Sequence, residues 1–235
     1  MPRVSQTIEQ YWDAYKPSRD SNAPAPAADV FEWTQHGHGP GAEWLGRPGT
    51  ALELGAAECK EAVHLARLGV HVTVLDFSAA QVERARSWWC GTPGLDIVQA
   101  EACAFLAATD LRWDAIYSVW GAAWFTDPEE LFPLVRRHLT PGGVFAFAHA
   151  EPLEGHYGVE GMYGNGFNGR KLTVLRWSHS PEQWSDLLKR EGFTGIEATI
   201  LDAPDPRDVG TLMVRAYAPQ DAGSGSPSAP KTSAG

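Results

Sequence analysis

Between Thr50 and Pro219 short apolar runs alternate with stretches whose apolar positions recur at helical spacing, the pattern of a mostly parallel sheet covered by helices. TALELG (50–55) predicts a first strand. KEAVHLARLG (60–69) predicts a helix, with Ala62, Val63, Leu65, Ala66 and Leu68 on one broad face, and HVTVLD (71–76) a second strand. Ser78, with Gln81 three residues on, reads as a capping box opening the helix AAQVERARSWW. LDIVQA (95–100) and WDAIYSVW (113–120) predict further strands, the second ending in the small-residue turn Gly121-Ala122-Ala123.

Asp127 as N-cap and Pro128 as first helical residue start PEELFPLVRRHL, where Pro133 predicts a kink. Thr140-Pro141-Gly142-Gly143 closes that helix before the buried strand GVFAFAHA (143–150). The next segment, EPLEGHYGVEGMYGNGFNGRK (151–171), has no clear period and reads as a long functional loop. A second capping box, Ser180 with Gln183, opens a helix. TGIEATILDA and GTLMVRAYA, joined by PDPRDVG, predict an antiparallel hairpin at one sheet edge.

This divides the chain into an N-terminal helical cap and connector (1–49), a core (50–218) carrying a lid insertion (151–177), and a disordered tail (219–235). No apolar run approaches the roughly 20 residues that span a bilayer, and the N-terminus lacks a signal-peptide pattern, so a cytoplasmic protein without membrane contact is expected. The formal charge of −10, without a basic stripe, disfavours nucleic acid as partner. Cys59, Cys90 and Cys103 lack the spacing of a zinc site, and His36 with His38 is a weak metal signal, so no metal is expected.

Glu53 near the end of one strand, Gly55 two residues on, and Asp76 ending the next strand suit an adenosine-containing ligand at the carboxyl ends of an open sheet, with Asp76 accepting ribose hydroxyls. The three-glycine dinucleotide fingerprint is absent: Ala57 and Lys60 stand where its other glycines would be.

In the order ALELGAAEC, HVTVLDFS, DIVQAEA, WDAIYSVWGAAWF and LVRRHLTPGGVFAF, the chain resembles the class I (Rossmann-like) S-adenosylmethionine-dependent methyltransferases. The resemblance implies a three-layer α/β sandwich around a seven-stranded, mostly parallel sheet with a C-terminal antiparallel hairpin, and S-adenosyl-L-methionine as cofactor. It also implies that Glu53 orients the loop or the cofactor's amino group, that Gly55 and Ala57 lie under the methionine moiety and that Asp76 holds the ribose. Phe77 would stack on the adenine, Glu101 or Ala102 would lie at its edge, and Ser118 would approach the methionine end. Ala57 and Cys59 occupy places where the family commonly has glycine.

Methyl transfer needs an aligned acceptor, a dry site and the loss of one proton. His149 at the end of its strand, and His156 with Tyr157 in the insertion, are the candidate bases. Trp33, Trp120, Trp124, Phe125 and Tyr163 are the candidate acceptor pocket, and Tyr11, Trp12, Tyr15, Phe31 and Trp33 the aromatic part of an N-terminal cap. The expected reaction is methylation at O or N of a small aromatic or heterocyclic metabolite in specialised metabolism, by a monomer or homodimer. A macromolecular acceptor, or a binding protein that has lost methyl transfer, is the alternative.

Overall fold

A computed structural model of the chain describes residues 7–15, 24–163 and 172–220. Its centre is a seven-stranded sheet of order β3-β2-β1-β4-β5-β9-β8. These strands are β1 (Thr50–Leu54), β2 (His71–Asp76), β3 (Leu95–Gln99), β4 (Trp113–Val119), β5 (Leu139–Ala150), β8 (Thr194–Leu201) and β9 (Thr211–Tyr217). The first five pair in parallel, whereas β9 runs antiparallel to both β5 and β8, as the sequence predicts. β1 has β2 on one side and β4 on the other, so connections diverge there and a crevice opens at the carboxyl ends of the strands.

Strand alternation assigns side chains to two cores. Ala51, Val74, Tyr117, Ala146 and Ala148 face α2 (Lys60–Arg67), α3 (Ala79–Trp89) and the connector residues Phe31 and Trp33. Leu52, Leu75, Ile116, Phe145 and Phe147 face α4 (Ala102–Ala108), α6 (Pro128–His138) and α7 (Pro181–Arg190). Alanines on the first face leave room for Trp33 and Tyr117, and the phenylalanines on the second interlock with Phe132 and Trp184.

Three details depart from the sequence reading. The insertion is an ordered hairpin in part: β6 (Gly158–Tyr163) pairs antiparallel with β7 (Thr173–Ser178) as a separate two-stranded sheet, with its tip outside the described residues. Its glycines hide the two-residue period. The Thr140–Gly143 turn lies inside β5, absorbed by a register shift against β4. Ser78 caps α3 by accepting from the Gln81 N–H (3.2 Å), but the Gln81 side chain does not return the bond. It donates instead to the Trp12 and Tyr15 carbonyls, fastening the short helix α1 (Ile8–Asp13).

The segment given to the cap is divided. α1 buries no residue, while Ala28, Phe31, Trp33 and Leu45 belong to the core. From residue 221 the expected tail lies outside the described residues.

Candidate active site

β1 ends at Leu54, and Gly55 turns the chain with φ +75°; a Cβ there would lie 2.5 Å from the Ala122 nitrogen. The Gly55 and Ala56 N–H groups both donate to the Leu75 carbonyl. Ala57 and Cys59 follow at φ +45° and +59°, so the backbone keeps the left-handed path for which the family uses glycine, at a cost of about 1–2 kcal/mol per residue. Asp76 offsets that strain: its Oδ2 accepts from the Ala57 N–H and its Oδ1 from the Ser78 N–H, each at 2.9 Å. Trp120, just past β4, is the remaining non-glycine residue with positive φ among the described residues, at +52°. All three border the crevice, and such strain gathers where function requires it.

A carboxylate offers about four lone-pair sites. The two N–H groups leave Asp76 capacity to accept from a pair of ribose hydroxyls, so its oxygens fit the adenosyl cofactor. Burial raises the Asp76 pKa, against the pull of its two backbone bonds. Phe77 is half-buried after it. Glu53 turns away from this opening: it is buried, and accepts from the Tyr117 hydroxyl at 3.1 Å and from the backbone of Ala62 in the first turn of α2. Burial, then the neighbouring Glu61, hold its carboxyl well above the usual range. Glu53 thus ties β1 to β4 and to the first turn of α2.

Burial also raises Glu61, to about 7, although Lys60 lies 3.3 Å away and itself pairs with Glu32 at 2.8 Å. Glu101 is the N-cap of α4, its two oxygens accepting from the Cys103 and Ala104 N–H groups, and Ala102 is buried beside it. Ser118 is a tie between strands: its Oγ donates to the Leu54 carbonyl (2.9 Å) and accepts from the Ala123 N–H (3.1 Å).

The acceptor side departs further from expectation. Trp33 is fully buried, its indole N–H on the Gly41 carbonyl, so it supports the pocket from behind. Trp120 reaches over it, donating from Nε1 to the Trp33 carbonyl at 2.9 Å. Trp124 and Phe125 lie on α5 (Ala122–Phe125), and Phe125 meets Trp12 of α1 at 4.8 Å between ring centroids. That contact carries the N-terminal helix across the crevice mouth, with Asp13 bound to the Ser78 hydroxyl and the Ala80 N–H. Tyr163, Tyr157 and His156 are exposed on the insertion.

His149 does not open on the crevice. Strand alternation puts it on the phenylalanine face, where it is fully buried with its ring parallel to Trp124 (5.2 Å, 5°) and beside Phe147 and Trp184. Its Nδ1 lies 2.8 Å from the Ala150 carbonyl; a carbonyl only accepts, so Nδ1 carries the proton and Nε2 a lone pair without a partner. Burial lowers its pKa to about 4, and His179 and Arg176 nearby act in the same direction. A neutral, sealed imidazole is a poor proton store.

Arg176 and His179 were not legible as site residues. They reach this end only because the insertion folds back as a hairpin over α5. Among the described residues no group of three or more His, Cys, Asp or Glu side chains is arranged to hold a metal, and no helix is long and apolar enough to cross a membrane.

Residues 52–147 match the family described as "Methyltransferase domain". Among solved structures, the fold is similar to the glycopeptide N-methyltransferase MtfA complexed with S-adenosyl-L-homocysteine, with 24% identity over 76% of this chain and 86% of that one, at a TM-score of 0.58. It is also similar to the 1,6-didemethyltoxoflavin-N1-methyltransferase of Burkholderia thailandensis, with 19% identity over 75% and 74% of the two chains, at a TM-score of 0.57. A stretch of 81 residues, 33% of the chain, is 35% identical to the polyketide synthase component of compactin nonaketide synthase from Penicillium citrinum, and spans only 3% of that protein's length. Residues 52–147 thus carry a methyltransferase-domain match, and the sheet around them has the strand order of the Rossmann-like methyltransferase fold.

Proposed function

We propose that the protein methylates a ring-borne oxygen or nitrogen of a small aromatic or heterocyclic metabolite in specialised metabolism. The observation that carries this reading is the crowding of Trp12, Trp120, Trp124 and Phe125 beside the crevice, on the β4 side of the loop that Asp76 braces. Flat aromatic walls favour flat ligands, and the absence of a basic stripe in a chain of charge −10 disfavours a polyphosphate acceptor. The relatives whose names specify glycopeptide and toxoflavin-precursor substrates, together with the polyketide synthase match, support a specialised-metabolism setting.

When bound, S-adenosylmethionine supplies an electrophilic methyl group on a sulfonium. In our reading Asp76 accepts the ribose hydroxyls, the Gly55–Ala57 turn passes under the methionine part, and Phe77 with Ala102 borders the adenine. Trp120 and Phe125, capped by Trp12, exclude water and align the acceptor. His149 acts through Trp124, holding that ring flat. We assign proton removal to His156 or Tyr157, at the exposed start of the insertion.

Calorimetric titration with S-adenosylmethionine and with S-adenosylhomocysteine tests the cofactor half, and transfer of labelled methyl to aromatic phenols and ring amines tests the acceptor half. Micromolar cofactor binding with transfer to at least one ring acceptor is expected. Absence of binding by folded protein, or transfer only to protein or RNA, overturns the reading.

A further inference from the structure

We propose that Arg176 anchors the acceptor: a guanidinium held in place beside the carboxyl ends of β4 and β5, ready for a carboxylate on the molecule to be methylated. The inference rests on the methyltransferase reading above and adds to it the class of substrate.

Position comes first. Gly55, just past β1, and Asp76, ending β2, are the residues assigned above to the cofactor, so the acceptor lies across the crevice at β4 and β5. The β6–β7 hairpin is directed at this place. Its register pairs Glu160 with Arg176 and Met162 with Val174 on one face; Val174 is buried there, while Val159, Tyr163 and Leu175 on the alternate positions are exposed. Arg176 is thus on the inward face, its guanidinium carbon 5.2 Å from the Trp124 ring centroid. Trp124 in turn lies flat against His149.

The second argument is the unfinished use of the guanidinium. Arg176 spends one donor, Nε, on the Glu160 carboxylate at 2.8 Å, and its terminal nitrogens have no hydrogen-bond partner among the described residues. Two arginines elsewhere in the fold use those ends. Arg215 gives Nη1 to the Trp44 carbonyl and Nη2 to Glu197 while lying over Trp44 and Tyr217, and Arg86 turns Nε and Nη2 together onto the Ile97 carbonyl. Arg176 has the orientation fixed, by Glu160 on one edge and by Trp124 beneath, and the opposite edge of its fork open. A planar fork restrained in this way matches a carboxylate with two parallel hydrogen bonds. Glu160 engages only the Nε edge and does not occupy that approach.

A carboxylate on the ring acceptor would bind Nη1 and Nη2 while its ring meets the aromatic wall at Trp120 and Phe125. The neutral amide of the same compound loses the charge-assisted pair and keeps the ring contact. That difference isolates Arg176.

The test titrates benzoate and indole-3-acetate, each against its primary amide, into the wild type, Arg176→Gln and Arg176→Lys, in the presence and absence of S-adenosylhomocysteine. The wild type should bind each acid about tenfold more tightly than its amide. Arg176→Gln should abolish the preference by weakening the acid alone, and Arg176→Lys, which keeps charge and the Glu160 pair but not the fork, should retain part of it. Near-ultraviolet circular dichroism of the tryptophans confirms that each variant is folded. Equal binding of acid and amide by the wild type, or a preference that survives in folded Arg176→Gln, overturns the proposal. Failure of folded wild type to bind S-adenosylhomocysteine sinks the methyltransferase reading instead, and the acid–amide comparison without that ligand still decides the role of Arg176.

Discussion

The two sides of the crevice are built by different means. On the side proposed for the cofactor the backbone makes the shape: Gly55, Ala57 and Cys59 follow a left-handed path, and a single carboxylate, Asp76, holds it through the Ala57 N–H while its other oxygen takes the Ser78 N–H. On the side proposed for the acceptor aromatic and charged side chains make it, stacked from His149 through Trp124 to Arg176 and brought together by an inserted hairpin. A backbone-built site tolerates little change in its few key residues. A side-chain-built site can be redrawn one ring at a time, which suits a fold that serves many acceptors with one cofactor.

Substitution of Asp76 should break this contrast most sharply. Asp76→Ala removes the ribose acceptor and the brace on Ala57 together, and cofactor affinity should fall about 100- to 1000-fold, as for loss of two charge-assisted hydrogen bonds. Calorimetry reads the affinity, and far-ultraviolet circular dichroism should show the fold intact. An affinity within threefold of wild type in folded protein would remove the ribose role.

The two sides should next separate by the sign of their pH dependence. Folding raises Glu61 from 4.5 to about 7, so its contribution to stability is fully present below the unfolded value and is lost as pH rises through that window. Folding lowers His149 from 6.5 to about 4, so its contribution is present above pH 6.5 and is lost as pH falls towards 4. Each is worth a slope of about 1.4 kcal/mol per pH unit, with opposite signs. Relative to wild type, Glu61→Gln should therefore gain stability progressively from pH 4.5 to 7, and His149→Phe should gain it from pH 6.5 down to 4. Urea unfolding across that range checks both; parallel curves for wild type and variant would show that the group does not titrate as described.

Ala57→Gly should be a smaller change. Relief of the left-handed strain, less the added freedom of the unfolded chain, should stabilise the protein by up to about 1 kcal/mol with cofactor affinity unchanged. A lower melting temperature would mean that the Ala57 methyl makes contacts outweighing its strain. The smallest effect expected is that of Trp12→Ala, about a threefold faster cofactor dissociation with no change in melting temperature, since α1 buries nothing. Stopped-flow fluorescence would measure it, and an unaltered rate would detach α1 from the site.

The same contrast explains what the sequence made legible. β1, β2 and the Gly55–Asp76 spacing are local, and their period and motif order suffice to predict the two strands and the turn between them. The parallel sheet and its closing hairpin follow likewise from strand and helix periods. His149 could not be placed, because whether a strand's last residue faces the crevice or the helices depends on strand parity against a packed layer. Arg176 was invisible for another reason: its importance comes from β6 and β7 pairing across a glycine-rich stretch whose period is blurred. Trp33 looked like pocket wall because ten tryptophans cannot be sorted into core and surface by composition.

The stitching of the connector to the far end of the chain has a consequence for synthesis. His36 contacts the Val209 carbonyl, His38 that of Asp202, and Arg215 donates to the Trp44 carbonyl. Trp33 and Phe31 can be covered only after β4 has been made, and their surrounding segment is fixed only once β8 and β9 leave the ribosome. This connector, translated ahead of the sheet, is therefore among the last parts of the domain to settle, and its tryptophans stay open to chaperones, or to other nascent chains, until β9 is in place.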